Sequence, residues 1–255
     1  MEVVIPAVVG ALASVVVVLL SAVLTARHQR RHAVEAEHDV IRGTYLNPLR
    51  YHAVENHFRI TDNLHKVRQH GGHWDELDVL ATTADLADKD PGWFVSEGAR
   101  LATATYLTAC LLAHLARVRD NVPYLRLTTT ADTRLAELTL QVHVGILQDG
   151  GMPNVAQISL GQEMWHRDEK RLLTYREFCQ LLQKPDRRPW IEPVVLYHLQ
   201  LGRGENLGRV RLLIDATAEL AEFLDGHVGG AESIGSRSEA EHRYRAKLAH
   251  YRSIE

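Results

Sequence analysis

Leu101-Ala102-Thr103-Ala104-Thr105-Tyr106-Leu107-Thr108-Ala109-Cys110-Leu111-Leu112-Ala113-His114-Leu115-Ala116 carries no Asp, Glu, Lys or Arg. Wound as a helix, it is apolar on nearly every side. Such a helix is central to a core or lies in a membrane. Its sixteen residues are short for a span, which needs about 20. Thr103, Thr105, Thr108 and His114 weaken a span further. The stretch therefore predicts a buried core helix within a longer helix from Trp93 to Arg119, with a second membrane span as the alternative.

Upstream, Asp90-Pro91-Gly92 is a turn signal. A shorter helix is expected over Asp75 to Ala87, with Leu77, Leu80 and Ala84 inward. Gly71-Gly72 breaks the helix before it. That helix opens at Asn47-Pro48, a cap followed by proline at the first helical position. It runs to about Arg68 and sets Tyr51, Val54, Phe58, Leu64 and Val67 near helical spacing. Ala33 to Arg42 reads as a stem helix with Gly43 as its stop.

Downstream, Ala131 to Gln148 predicts a helix buried through Leu135, Leu138 and Val142, and Ile158 to Arg167 a short one. Thr174-Tyr175-Arg176-Glu177 is a capping box, so a helix begins at Tyr175 and buries Phe178, Leu181 and Leu182. Trp190 to Leu201 is a further helix. Asn206 caps another, which Gly226 closes. Gly and Ser dominate from His227 to Arg237, a linker composition, and a charged helix follows. Val194-Val195-Leu196 is the one run that competes as a strand.

The N-terminal end reads differently. Val3 to Ala26 is uncharged. At 1.5 Å per residue it makes roughly 36 Å of helix, enough for a hydrocarbon core of about 30 Å. Its start, Met1-Glu2, lacks the basic residues of a cleaved leader. Arg27, Arg30 and Arg31 follow it and place the chain beyond them in the cytoplasm, with the N-terminus outside. These three arginines are the candidate membrane-surface residues, each adding about 1 kcal/mol of attraction to anionic headgroups. His28 and His32 beside them would strengthen that attraction at acid pH. Ala7, Gly10, Ser14 and Ser21 form a small-residue stripe that would let two copies pair.

The expected fold is thus all-α: one N-terminal transmembrane helix (1–26), a basic stem (27–46), a multi-helix cytoplasmic bundle (47–226) and a linker with a charged tail (227–255). A net charge of -3 argues against nucleic acid as a partner. The two cysteines, Cys110 and Cys179, lie in apolar helical contexts and read as reduced and buried. No catalytic, cofactor or metal residues are predicted. Glu35 with His38, and Glu163 with His166, have the i,i+3 spacing of di-metal bundles but lack the two further glutamates. His65, His70 and His73 surround a Gly-Gly pair that leaves their geometry undefined. Gly202 to Gly208 lacks the strand and glycine spacing of a phosphate loop and reads as a turn between helices. Glu97 and Arg100 are spaced for a structural ion pair.

Three stretches carry a resemblance: Tyr45-Leu46-Asn47-Pro48-Leu49-Arg50, Gly92-Trp93-Phe94-Val95, and Gly161-Gln162-Glu163 leading to Leu173-Thr174-Tyr175-Arg176-Glu177-Phe178. They resemble uncharacterised bacterial single-pass membrane-anchored helical proteins. The resemblance implies an anchored helical domain, no assigned activity and no catalytic residues. The functional expectation is a membrane-tethered interaction or scaffold module, not an enzyme. Its partners would be the lipid bilayer, a second copy through the membrane helix, and an unidentified protein. The alternatives are a membrane-bound enzyme with an unrecognised site and a two-span subunit of a membrane assembly.

Overall fold

The computed structural model describes the backbone of residues 4–125, 129–147, 152–166 and 168–228. Side chains are described within those ranges from residue 21 onward, apart from 23, 34, 122–129, 147 and 228. The chain divides into two units, Met1–Gly43 and Thr44–Glu255. The first is a single helix, α1 (Val4–Ile41). A π-helical turn, Arg42–Leu46, follows.

The second unit contains α2 (Asn47–Gln69), α3 (Ala99–Leu125), α4 (Thr129–Leu147), α5 (Asn154–Glu163), α6 (Tyr175–Leu182), α7 (Arg188–Gly202) and α8 (Leu207–Val228). A minimal hairpin, β1 (Trp165–His166) and β2 (Arg171–Leu172), pairs Trp165 with Leu172 between α5 and α6.

Helix α3 is the hub. Helices α2, α4, α5, α6 and α7 all pack on it. Leu101, Ala104, Ala109, Cys110, Leu111, Leu112, Ala113 and Leu115 are buried, which for a leucine contributes about 1.5–3 kcal/mol each. Burial raises the Cys110 thiol to about 12 and the Cys179 thiol to about 11, so both stay protonated. Helix α8 packs on α2 and α4 and closes the other side of the bundle. Close approach of α3 and α5 depends on Gly161. A Cβ there would lie 2.5 Å from the Leu112 carbonyl oxygen and 2.9 Å from its carbon. Gly161→Ala should therefore lower stability by about 1–3 kcal/mol, read as a shift of the urea midpoint at unchanged slope.

Local signals explain the helix ends. Pro48 opens α2. At its other end Gly72 donates to the Val67 carbonyl and Gly71 to that of Arg68, the six-to-one and five-to-two bonds of a glycine-closed terminus. Gly71 and Gly72 have φ of +75° and +102°, which favours glycine. The Thr174 and Glu177 capping box starts α6. Arg171 grips the same Glu177 through both guanidinium nitrogens, at 2.7 and 2.8 Å, and so ties β2 to α6.

Several expectations are corrected. The stretch 74–88 is not an α-helix: turns lead into a 3₁₀ segment, Thr83–Asp88, where Thr82 and Asp85 cap one another. Asp85 takes the Thr82 backbone N–H, a local bond that competes with a regular helix. Leu77, Leu80 and Leu86 are buried, whereas Ala84 is exposed. On α2, Tyr51 points outward, and Asn56 and Asn63 are buried in its inner face. Val194 to Leu196 is helical, within α7. Trp165–His166 pairs with Arg171–Leu172 as a hairpin where a helix end was expected. The charged tail beyond 228 lies outside the described residues.

The larger correction concerns the membrane. Among the described residues, one helix is long and apolar enough to cross a bilayer, Ala99–Asn121, and 78% of its apolar window is buried. It lies mid-chain, not at the N-terminus. Apolar length alone does not separate a lipid-facing helix from a protein-covered one, and α3 is covered by protein. The side chains of Ala7, Gly10 and Ser14 lie outside the described residues, and Ser21 is exposed on α1. The fold class is accordingly an all-α bundle with eight α-helices among the described residues. The N-terminal transmembrane helix, the membrane-tethered function and the single-pass localisation with a cytoplasmic domain are not upheld.

Candidate functional site

A concave surface of about 460 Å³ opens between the middle of α2 and the start of α3. Arg59 comes from α2, Glu76 from the turns after it, Ser96 and Glu97 from the approach to α3, and Ala99, Arg100 and Thr103 from α3 itself. The sharp entry into α3 depends on Gly98. A Cβ there would fall 2.2 Å from the buried Trp93 ring. The Gly98 amide donates to the Trp93 carbonyl at 2.9 Å. Asp90 holds the preceding turn through the amides of Gly92 and Trp93.

Charge in this cleft is balanced, with both arginines on helices and both glutamates on turns. Arg100 donates to Asp62 of α2 at 3.1 Å and lies 3.9 Å from Glu76. Its guanidinium stacks on the Trp74 ring at 4.9 Å. Arg100 thus pairs across elements, not with Glu97 as its spacing suggested. Glu76 is two-thirds exposed, and Glu97 is exposed.

Behind the cleft runs a buried polar chain. The Asn56 amide donates to the Thr108 hydroxyl at 2.9 Å, and that hydroxyl is 3.0 Å from Nε2 of His198. All three residues are fully buried. Burial, then the nearby charge of Arg59, lowers His198 to about 3. The imidazole is therefore neutral, and it locks α2, α3 and α7 together.

A second cluster joins α2, α3 and the hairpin. The rings of His52 and His114 stack at 4.8 Å. Burial lowers both, His52 to about 4 against an opposing pull from Glu55, and His114 to about 3 with help from His52 and Arg117. Arg117 lies 4.0 Å over the Trp165 ring and 5.0 Å from that of Tyr45. This arrangement is a packed corner.

The residues singled out in the sequence do not gather at the cleft, apart from Glu97 and Arg100. Arg27, Arg30 and Arg31 are exposed along α1. Glu163 pairs with Arg187, and His166 lies 3.5 Å from Glu169. His73 bonds Asp75 at 2.8 Å, while His70 turns back to the Lys66 carbonyl. The glycine-rich turn at 202–204 is structural: the Gly202 carbonyl accepts from the Trp74 amide, and Arg203 donates to Asp78 at 2.8 Å. Asn206 sends its amide to Gln200. Among the described residues, no three His, Cys, Asp or Glu side chains converge as a metal site.

Arg59 and Glu76 were missed in the sequence. A signal for the polar core was present. Asn56 and Asn63 are seven apart on the stripe that carries Ile60 and Val67, so an inward polar strip was readable from spacing.

Comparison with protein-family models, with curated proteins and with solved structures finds no match in any of the three.

Proposed function

We propose that the helical unit beginning at Thr44 is an interaction module, and that the mixed-charge cleft at the start of α3 is the surface it offers to a partner. The observation that supports this reading is the convergence of Arg59, Arg100, Glu76 and Glu97, drawn from separate elements, on one concave surface. A guanidinium is suited to gripping a carboxylate in two-point fashion. The opposing carboxylates accept from ammonium, guanidinium or backbone N–H groups. The cleft suits a short segment bearing both signs of charge. Arg59 and Arg100 stand on helices, so these two charges are positioned before the partner arrives.

The test uses the reporter built into the site. Trp74, under Arg100, should change its fluorescence when a mixed Glu/Lys peptide is titrated in, and binding should weaken as salt rises. Glu97→Lys should shift preference towards acidic peptides by about tenfold, close to 1.4 kcal/mol. Titrations in which neither charged nor uncharged peptides bind up to millimolar concentration, or in which Glu97→Lys changes nothing, would contradict the proposal.

A further inference from the structure

We infer that α1 carries a two-histidine chelate, His28 with His32, for a divalent transition metal that favours tetragonal coordination, copper(II) above all. The two residues are four apart on one helix, so their side chains lie on the same face. Their Nε2 atoms converge to 2.9 Å, with rings edge to face at 4.2 Å. The pair is joined as an N–H···N hydrogen bond, and the convergence of two imidazole nitrogens on one helix face carries the inference. Two nitrogens bound at about 2.05 Å and at right angles around a metal are roughly 2.9 Å apart, whereas a tetrahedral angle would set them at roughly 3.3 Å. The observed edge therefore fits cis positions of a square-planar or tetragonal site. Imidazole donors in that geometry point to Cu²⁺ or Ni²⁺, and affinity peaks at copper among these ions.

A second observation supports it. The Oε2 atom of Glu35 stands 3.5 Å from Nδ1 of His32. A carboxylate beside the far nitrogen helps to orient a ligating histidine. His28, His32 and Glu35 thus follow one stripe: two donors and one supporting group. As the metal enters, the proton between the two Nε2 atoms passes to a ring Nδ1 or to solvent. Arg27, Arg30 and Arg31 lie on the same stretch of helix and oppose a cation. Water fills the remaining positions, or a second ligand does.

The test titrates Cu²⁺ into the full chain and reads affinity by competition and coordination by electron paramagnetic resonance. The tightest equivalent should give an axial spectrum with two imidazole nitrogens. His28→Ala or His32→Ala should weaken it at least tenfold. Glu35→Gln should weaken it about tenfold through loss of the supporting carboxylate. The double variant His32→Ala with Ala33→His keeps all fifteen histidines but turns one donor away from the stripe, and it should behave like His32→Ala. Exposed alanine in a helix is well tolerated, and circular dichroism checks that helicity is retained. An unchanged tightest site in both alanine variants would mean that other histidines bind the metal, and would overturn the inference. Zinc binding tighter than copper would overturn the tetragonal assignment.

Discussion

Acidification from pH 7 to pH 4 should remove a free energy comparable to the whole stability of the helical bundle. His52, His114 and His198 are held neutral by burial, with values near 4, 3 and 3 against an ordinary value of 6.5. His57 and His143 are lowered as well, chiefly by burial. In the unfolded chain each ring takes up a proton near pH 6.5. In the folded chain it does not until the pH reaches its lowered value. Stability is therefore complete above pH 6.5, falls as the pH drops towards 4, and levels off only below the folded values. At about 1.4 kcal/mol per pH unit, each of the first three groups contributes on the order of a few kcal/mol. A domain of this size has about 5–15 kcal/mol in total. All four tryptophans lie in this unit, so urea unfolding read by their fluorescence reports on it directly. The midpoint should fall steeply between pH 7 and 4.5. His114→Phe removes one of the protonations, and relative to the parent it should gain a few kcal/mol across the same range. A flat midpoint from pH 7 to 4.5 would contradict the buried neutral imidazoles.

The second large effect is expected at the clasp between α2 and α8. Arg50 is 8% exposed, and its Nε donates to Asp225, which is about one-fifth exposed. Asp225→Ala would strip this carboxylate from a buried guanidinium, and loss of about 3–5 kcal/mol is expected. Arg50→Met with Asp225→Leu removes both charges and keeps apolar volume. It should recover part of that loss, because both charges of the clasp leave the buried site together. Chemical denaturation of the two single variants and the double variant gives the coupling energy. A loss under about 1 kcal/mol for Asp225→Ala would mean that the clasp is solvated.

How far the fold could be read from sequence depended on whether a signal was local. The Gly71-Gly72 end of α2 and the Thr174–Glu177 box at α6 are short-range motifs, and the structure places helix ends at both, whereas Asn47 lies inside α2 and does not cap it. The uncharged middle of α3 read as core because it has no polar face to give to water. The 74–88 stretch misled because leucines at near-helical spacing are anchored just as well by successive turns. The hairpin has strands of only two residues, too short for an alternating pattern, and Lys170 at its turn adopts a φ of 51° that composition does not announce. The N-terminal anchor was argued from length and hydropathy, a criterion that α3 also meets while covered by protein. The cleft was half legible. Glu97 and Arg100 stood out, but Arg100 faces Asp62 and Glu76, partners that only the packing of α2 against α3 brings near.

The central claim is that the mid-chain apolar helix is the packed core of this bundle. Hydrogen–deuterium exchange of the full chain in aqueous buffer, followed peptide by peptide, tests it most directly. Amides from Leu101 to Ala116 should exchange slowest of all, through global unfolding alone, and detergent should not change that ranking. Exchange in this segment as fast as in the turn at 184–187, or protection that emerges only when detergent is added, would contradict it.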